Sequence, residues 1–291
     1  MRPILRPGTH VLRRSSGELQ VGLDPSAALV LPDCEPVRHT LRLLAASADL
    51  TEYADPSTVE LLDQHGLVVD ERQLMPLLAE DGVSPHTTAA LVRSIGSAAP
   101  TVLAARQEWR VDVRAFGHPV ATGLQRDLQA LAHTAGIRRR SGPSPAPDCG
   151  VLVGVGEPDR ELVDAWTRAE TPYLLVRLTE GRAVLGPFVA PGRTACVRCV
   201  DAHWADADPS WPLLVRQYAT AASRDRADGA PEPVDPLLAS LALAWAARDL
   251  ASYVDGLRPS TWSATISLHG RLSRIETRSW LRHPGCCCSW E

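Results

Sequence analysis

The chain opens at strand spacing and then changes to helical spacing. Glu18–Leu23 alternates polar and apolar side chains, which predicts a half-buried strand. His10–Arg13 predicts a strand before it, with Ser15-Ser16-Gly17 as the hairpin turn between them. Asp24-Pro25 turns the chain again. Ala28-Leu29-Val30-Leu31 predicts a third strand, ended by Pro32-Asp33. Val37, Leu41 and Leu44 then fall near i, i+4 and i+7, the apolar face of a helix that Asp33 can cap. A second helix is expected behind Asp55, with Pro56 at its first position, Val59, Leu61 and Leu62 inward and Gly66 at its end. Leu67-Val68-Val69 reads as extended, and Glu71–Glu80 as a third helix.

From Trp109 strands and helices alternate. Val111–Phe116 predicts a strand, followed by the glycine-bearing turn Gly117–Gly123 and a helix at Leu124–Ala135. Further strands are expected at Ile137–Arg139, Cys149–Val155 and Pro172–Leu178, with a helix at Pro158–Ala169. This order predicts a mostly parallel sheet covered by helices. Ala183–Val189 is a strand, 203–226 a partly helical insertion, and Pro236–Val254 a long apolar helix. Thr261–His269 and Arg271–Thr277 form a hairpin around Gly270. The expected organisation is a small domain over 1–82, a connector over 83–107 and an α/β domain over 108–291.

Three strands and about three helices in the first domain match the size of a winged helix. Such domains commonly bind DNA. Here the candidate recognition helix, Ser57–His65, carries Glu60 and Asp63 and no arginine, the wrong sign for phosphate. Net charge is −4, so no nucleic-acid partner is expected. The other use of the fold is peptide capture by strand addition. Ala28, Leu29, Val30 and Leu31 would offer the edge, and Val59 and Leu62 the pockets behind it. No apolar run reaches the roughly 18 residues of a membrane helix. The N-terminus lacks the apolar core of a signal peptide. No membrane partner is expected, and the cytoplasm is the expected location.

All 30 basic residues are arginine, and asparagine is absent. No Schiff-base or phosphate-binding lysine can exist in this chain. Of the seven cysteines, five lie in two clusters. Cys196 and Cys199 form a C-x-x-C knuckle, and Cys286 and Cys288 a C-x-C near the far end. Two close thiolate pairs are the donor set of a tetrahedral structural zinc site. Four sulfurs fill its coordination sphere, so a structural role is expected. Cys287 leaves the register open by one residue. Adjacent side chains diverge, so Cys286 and Cys288 are the expected ligands and Cys287 the free thiol. His283 is expected to cap a turn. Cys149 reads as a core residue and not a thioester cysteine.

The segment GPFVAPGRTACVRC (Gly186–Cys199), the tail RHPGCCCSW (Arg282–Trp290) and the opening THVLRRSSGELQVGLDP (Thr9–Pro25) together resemble a known family. It is that of the ThiF-like leader-peptide-binding proteins of thiazole/oxazole-modified microcin clusters, partners of YcaO-type cyclodehydratases. The tail is similar to that family's H-P-x-C-x-C, mapping onto His283, Pro284, Cys286 and Cys288. The resemblance implies an N-terminal winged-helix-like peptide-recognition domain. It also implies a ThiF-like, Rossmann-type α/β domain with a structural zinc site, and a homodimer.

Active members of the ThiF-like superfamily hold ATP at a glycine-rich turn, with an acidic residue after the second strand. Here GHPVATG keeps Gly117 and Gly123, but Pro119 removes a backbone donor. After the second strand the chain reads Arg138-Arg139-Arg140, with no carboxylate. The nucleotide loop is therefore read as degenerate, and no ATP is expected. The function so implied is non-catalytic: binding a precursor's leader peptide and presenting it to a separate YcaO-type cyclodehydratase for azoline or azole formation. The alternative is an active ATP-dependent adenylating enzyme acting on a peptide or carrier-protein carboxylate.

Overall fold

The computed structural model describes residues 2–15, 17–48, 54–79, 82–137 and 147–289. The chain divides into two compact units, Met1–Ala104 and Ala105–Glu291.

The first unit holds β1 (Pro3–Leu5), β2 (Val11–Arg13), β3 (Glu18–Val21), β4 (Leu29–Pro32), α1 (Glu35–Ala45), α2 (Pro56–Gln64), β5 (Val68–Asp70), α3 (Glu71–Leu78) and α4 (Pro85–Ile95). The helix α5 (Ala99–Glu108) crosses the boundary. β2, β3 and β4 form an antiparallel sheet in that order, and β1 pairs antiparallel with β5. The alternation read in Glu18–Leu23 drives this sheet onto the helices. Leu19, Val21 and Leu31 share one core with Leu41, Leu44 and Leu62. Asp55 caps α2 by accepting from the Thr58 amide at 3.1 Å. Asp33 does not cap α1. Cys34 holds that position, and Asp33 pairs with Arg38 at 2.7 Å. The stretch read as a connector, with helical patches expected around Thr87–Ile95 and Val102–Glu108, holds α4 and most of α5, and its Val92 and Ala99 share a cluster with Ile4, Val69 and Leu74. Arg6 ties α4 down, donating to the carbonyls of Val92 and Gly66 at 3.1 and 2.8 Å.

The second unit is a sheet with helices on both faces. It comprises β6 (Val111–Gly117), α6 (Ala121–Thr134), β7 (Cys149–Val155), α7 (Arg160–Arg168), β8 (Tyr173–Thr179), β9 (Arg182–Val189), α8 (Val197–Ala207), α9 (Trp211–Ala221), α10 (Pro236–Val254), β10 (Ala264–His269) and β11 (Ile275–Ser279). The strand order is β11-β10-β9-β8-β7-β6. Every residue of β7 is buried, as a central parallel strand requires. Val151 and Val153 face α6 and α10, and Leu152 faces the opposite cluster with Trp166.

The sheet is mixed, where a mostly parallel one was expected. β6, β7 and β8 run parallel, and β8 through β11 pair antiparallel. The cause is local. Glu180 and Gly181 both take positive φ, 50° and 73°, between the paired residues Thr179 and Arg182. That is the two-residue turn that closes a hairpin, and a hairpin can only return antiparallel. The expected strand at Ile137–Arg139 lies outside the described residues except for Ile137, as does the run Arg138–Arg140.

By length and composition, the stretches Pro85–Glu108 and Pro236–Val254 would reach across a membrane. In α10 the apolar residues serve the core: Leu238, Leu243 and Leu250 are buried against the sheet. The same helix carries a buried acid. Asp249 accepts from the amides and hydroxyls of Ser260 and Thr261 at 2.6–3.1 Å and is 2% exposed. Asp249→Ala strips a charged acceptor from four donors, two of them on the buried Thr261, and is expected to cost about 3 kcal/mol. The denaturant midpoint checks this; an unchanged midpoint would show that solvent replaces the carboxylate.

Candidate functional site

Two distant stretches of the second unit meet at one cluster of sulfurs. β9 delivers the chain to a turn in which the Thr194 hydroxyl accepts from the Ala190 amide at 2.8 Å. Cys196 then stands at the N-cap of α8, and Cys199 lies in its first turn. The positive end of a helix favours thiolate there. From the other side, β11 leads through Trp280 to the tail. Cys286 and Cys288 arrive around the single 3-10 turn Cys287–Ser289. The Sγ separations are 3.7 Å for Cys196–Cys199, 3.7 Å for Cys196–Cys286, 3.4 Å for Cys196–Cys288 and 3.2 Å for Cys199–Cys288. A tetrahedron of sulfurs about 2.3 Å from zinc has edges of roughly 3.8 Å. Three of the four sulfurs belong to buried residues. The arrangement can hold a metal such as zinc. Cys287 is exposed and stays out of the cluster.

The cluster already separates charge. A hydrogen bond from the Cys196 thiol holds Cys199 down to about 4, and the same bond, with burial, pushes Cys196 up. Burial pushes Cys286 up to about 12. Cys199 is thus the sulfur that gives up its proton most readily. A dication would draw the remaining protons off, as thiolate ligation requires.

The surrounding residues were not found by spacing alone. Arg282 donates to the Gly192 carbonyl at 2.8 Å and to the Cys288 carbonyl, bracing both arms of the cluster. His283 accepts from the Gly285 amide at Nδ1, 3.0 Å. Its proton therefore sits on Nε2, which donates to Asp206 at 3.0 Å. His203 donates from Nε2 to the Leu281 carbonyl at 3.0 Å. His203, Asp206 and His283 lie close enough to share an ion. Yet both imidazoles spend their Nε2 proton on fixing the tail, and His283 spends Nδ1 as well. A signal for this brace was present: Cys199, His203 and Asp206 fall at i, i+4 and i+7 on one face of α8.

At the other candidate loop, Gly117 has φ +75° and pairs with Val155. Gly123 lies inside α6, where a Cβ would meet nothing within 4 Å. The amides of Ala121, Thr122 and Gly123 donate to the carbonyls of His118, Pro119 and Val120 at 2.9–3.2 Å. These are the donors that such a turn would otherwise aim at a phosphate. His118 pairs with Asp225 at 3.0 Å, and the hydroxyls of Tyr218 and Thr179 bond at 2.8 Å. The segment from α9 onward thus lies across the carboxyl ends of β6 and β8, where open α/β sheets form their ligand crevice. Beneath it, Glu157 pairs with Arg177 and Arg160, and Arg160 with Asp201. The Trp211 indole donates to Asp201 at 3.1 Å and stacks on Trp204, so both tryptophans pack on their own unit. Cys149 is fully buried, and burial pushes its thiol up, consistent with a core residue.

Among the described residues of the first unit β4 is an edge strand. The Asp33 amide bonds to the Gly17 carbonyl in the β3–β4 register. Counting back by twos, Leu31 and Leu29 point their backbone groups at β3, and Val30 points its own outward. Val30 is 42% exposed, and Ala28, Leu29 and Val59 are half-buried. Leu31 and Leu62, at 5% and 0%, belong to the core and offer no side chain to a groove.

No protein-family model matches the sequence, and no curated protein matches it. Solved structures do. A heterocyclase in complex with substrate and cofactor aligns with TM-score 0.70 at 16% identity, over 99% of this chain and 39% of that one. The heterocyclase TruD aligns with TM-score 0.66 at 19% identity, over 99% and 42%. MccB of E. coli, with succinimide, aligns with TM-score 0.64 at 14% identity, over 99% of both chains. The likeness is one of fold. The likeness covers 99% of this chain. The chain spans about two fifths of the heterocyclases' length and nearly all of MccB's.

Proposed function

We propose that this chain binds the leader of a ribosomally made precursor peptide and presents it to a separate YcaO-type cyclodehydratase. In this reading residues 1–82 are a winged-helix-like recognition element, and residues 108–291 are a ThiF-like scaffold clamped by structural zinc on Cys196, Cys199, Cys286 and Cys288. The observation that carries it is the open edge of β4, with the Val30 backbone facing outward beside exposed and half-buried apolar side chains. An extended peptide added there gains main-chain hydrogen bonds, and its alternate side chains meet Ala28, Leu29 and Val59. Fold likeness supports it. One matching heterocyclase carries its substrate, and one matching MccB structure is a complex with N-formylated MccA. This chain spans about two fifths of that heterocyclase. Tethering the leader raises the local concentration of the core peptide at the partner enzyme.

The test is binding of labelled leader peptides from precursor-like reading frames encoded near this chain. Val30→Pro removes the outward donor of β4 and leaves the ladder to β3 intact. It is expected to weaken binding at least tenfold with an unchanged thermal midpoint. Equal binding by the variant would move the peptide site elsewhere. An adenylating enzyme is the second reading, favoured by the full-length likeness to MccB, one structure of which holds ATP. The spent amides of the 117–123 turn and the absence of lysine count against it. Calorimetric titration with magnesium-ATP separates the two: micromolar binding would put the enzyme first.

A further inference from the structure

The aromatic side chains of the second unit converge beside the end of β9. Phe188 is fully buried there, its ring centre 6.1 Å from that of Trp262 and 4.6 Å from that of Tyr253. Tyr253, in the last turn of α10, meets Trp109 edge-on at 5.6 Å. Trp109, Tyr253 and Trp262 pack on this core and stay half-buried. The backbone fixes Trp262. The Phe188 amide donates to the Thr261 carbonyl at 2.8 Å, and Asp249 holds the Thr261 amide and hydroxyl. Two arginines reach the same indole from two loops. Arg193 follows β9, Arg258 follows α10, and their guanidinium carbons lie 5.4 and 5.7 Å from the Trp262 ring centre. Both are exposed, and among the described residues neither forms an ion pair or a side-chain hydrogen bond. The acids beside them are committed elsewhere: Asp249 to Ser260 and Thr261, and Asp255 to Arg106 at 2.7 and 2.6 Å.

We infer that Trp109, Tyr253 and Trp262, with Arg193 and Arg258, form a docking surface for an acidic segment of a different protein. A guanidinium lying against a ring keeps its N–H donors for other partners, and the contact limits where it can move. Two positive charges are thus held ready on one aromatic patch, with no described carboxylate of this chain neutralising them. Arginine, tryptophan and tyrosine are also the side chains that carry most of the energy at protein interfaces. Carboxylates of the occupant accept from the two guanidiniums, and its apolar side chains cover the rings. A second copy of this chain is a poor occupant. The patch facing itself would set arginine against arginine, with Asp249 and Asp255 already committed. Nucleic acid fits less well. Cations already lie over the Trp262 ring that a base would stack on, and Asp255 neutralises the neighbouring Arg106. The surface belongs to the second unit, so the inference does not rest on peptide capture at β4.

The probe is a short fluorescein-labelled peptide of aspartate, leucine and serine, compared with the same peptide carrying asparagine for aspartate. Anisotropy at about 0.15 M salt should show the acidic peptide binding at least tenfold more tightly, with affinity falling as salt rises. Arg193→Gln and Arg258→Gln should each weaken binding about fivefold, the upper range for one exposed ion pair. Both side chains are exposed, so circular dichroism and metal content are expected to stay unchanged. Phenylglyoxal locates the site without a variant. The two guanidiniums should react fast in the free chain, and the bound peptide should protect them, read residue by residue by mass spectrometry. Equal binding of the two peptides would overturn the inference. So would full affinity in the double variant, protection that falls on other arginines, or tighter binding of a single-stranded oligonucleotide of equal charge.

Discussion

Cys199→Ala is expected to abolish stoichiometric metal binding and lower the thermal midpoint by about 10 °C, with Cys287→Ala leaving both unchanged. Cys199 is the sulfur whose thiol the Cys196 hydrogen bond holds lowest, and it lies 3.2 Å from Cys288 and 3.7 Å from Cys196. Removing it leaves three ligands and an open position, which a closed structural site does not tolerate. The cluster also closes a long loop, since Cys196 and Cys286 belong to stretches far apart in the chain. Metal ligation therefore contributes directly to folding. The second unit has a large core of its own, so the loss is set on the order of 4 kcal/mol and not at complete unfolding. Elemental analysis with scanning calorimetry on the two variants checks this. A metal-free parent chain, or equal loss from Cys287→Ala, would show that the sulfurs are not the ligands assigned.

Gly117→Ala is expected to destabilise the second unit by roughly 2–4 kcal/mol, with Gly123→Ala adding about 0.5–1 kcal/mol of stability. A Cβ on Gly117 would lie 1.9 Å from the Val155 carbonyl oxygen, and φ is +75°. A Cβ on Gly123 meets nothing within 4 Å, and the residue sits in the first turn of α6. Glycine at a free helical position only costs backbone entropy. The two glycines of GHPVATG thus have different causes. The first is demanded by the close approach of β6 and β7 whether or not a nucleotide ever binds. The second has no backbone demand in this structure. Paired denaturation curves would show the opposite signs; a Gly123→Ala loss as large as that of Gly117→Ala would point to a shared role for the turn.

Much of the element order was legible because burial writes its own period. The alternation at Glu18–Leu23 became β3, the continuous apolar run at Cys149–Val155 became the central strand, and the long apolar stretch Pro236–Val254 became α10. Capping was legible where the side chain is committed, as at Asp55, and misread where a competing charge pulls it away, as Arg38 does to Asp33. The inward faces of α2 and β4 mixed core and surface. Leu31 and Leu62 resemble Val30 and Val59 in composition, and only packing against Leu19 and Leu41 separates them.

The sequence by itself determined the donor chemistry: four cysteines in two close pairs, no lysine, no asparagine. It also determined most of the secondary elements, because those depend on neighbours within one turn or one strand. Tertiary structure decided what depends on distant neighbours. It selected Cys288 over Cys287, a difference of side-chain direction fixed by the 3-10 turn and the Arg282 brace. It set Val30 on the open edge and turned Arg278 outward between two tryptophans. And it made the sheet mixed, because the two positive-φ residues Glu180 and Gly181 reverse the chain in less space than a crossover needs.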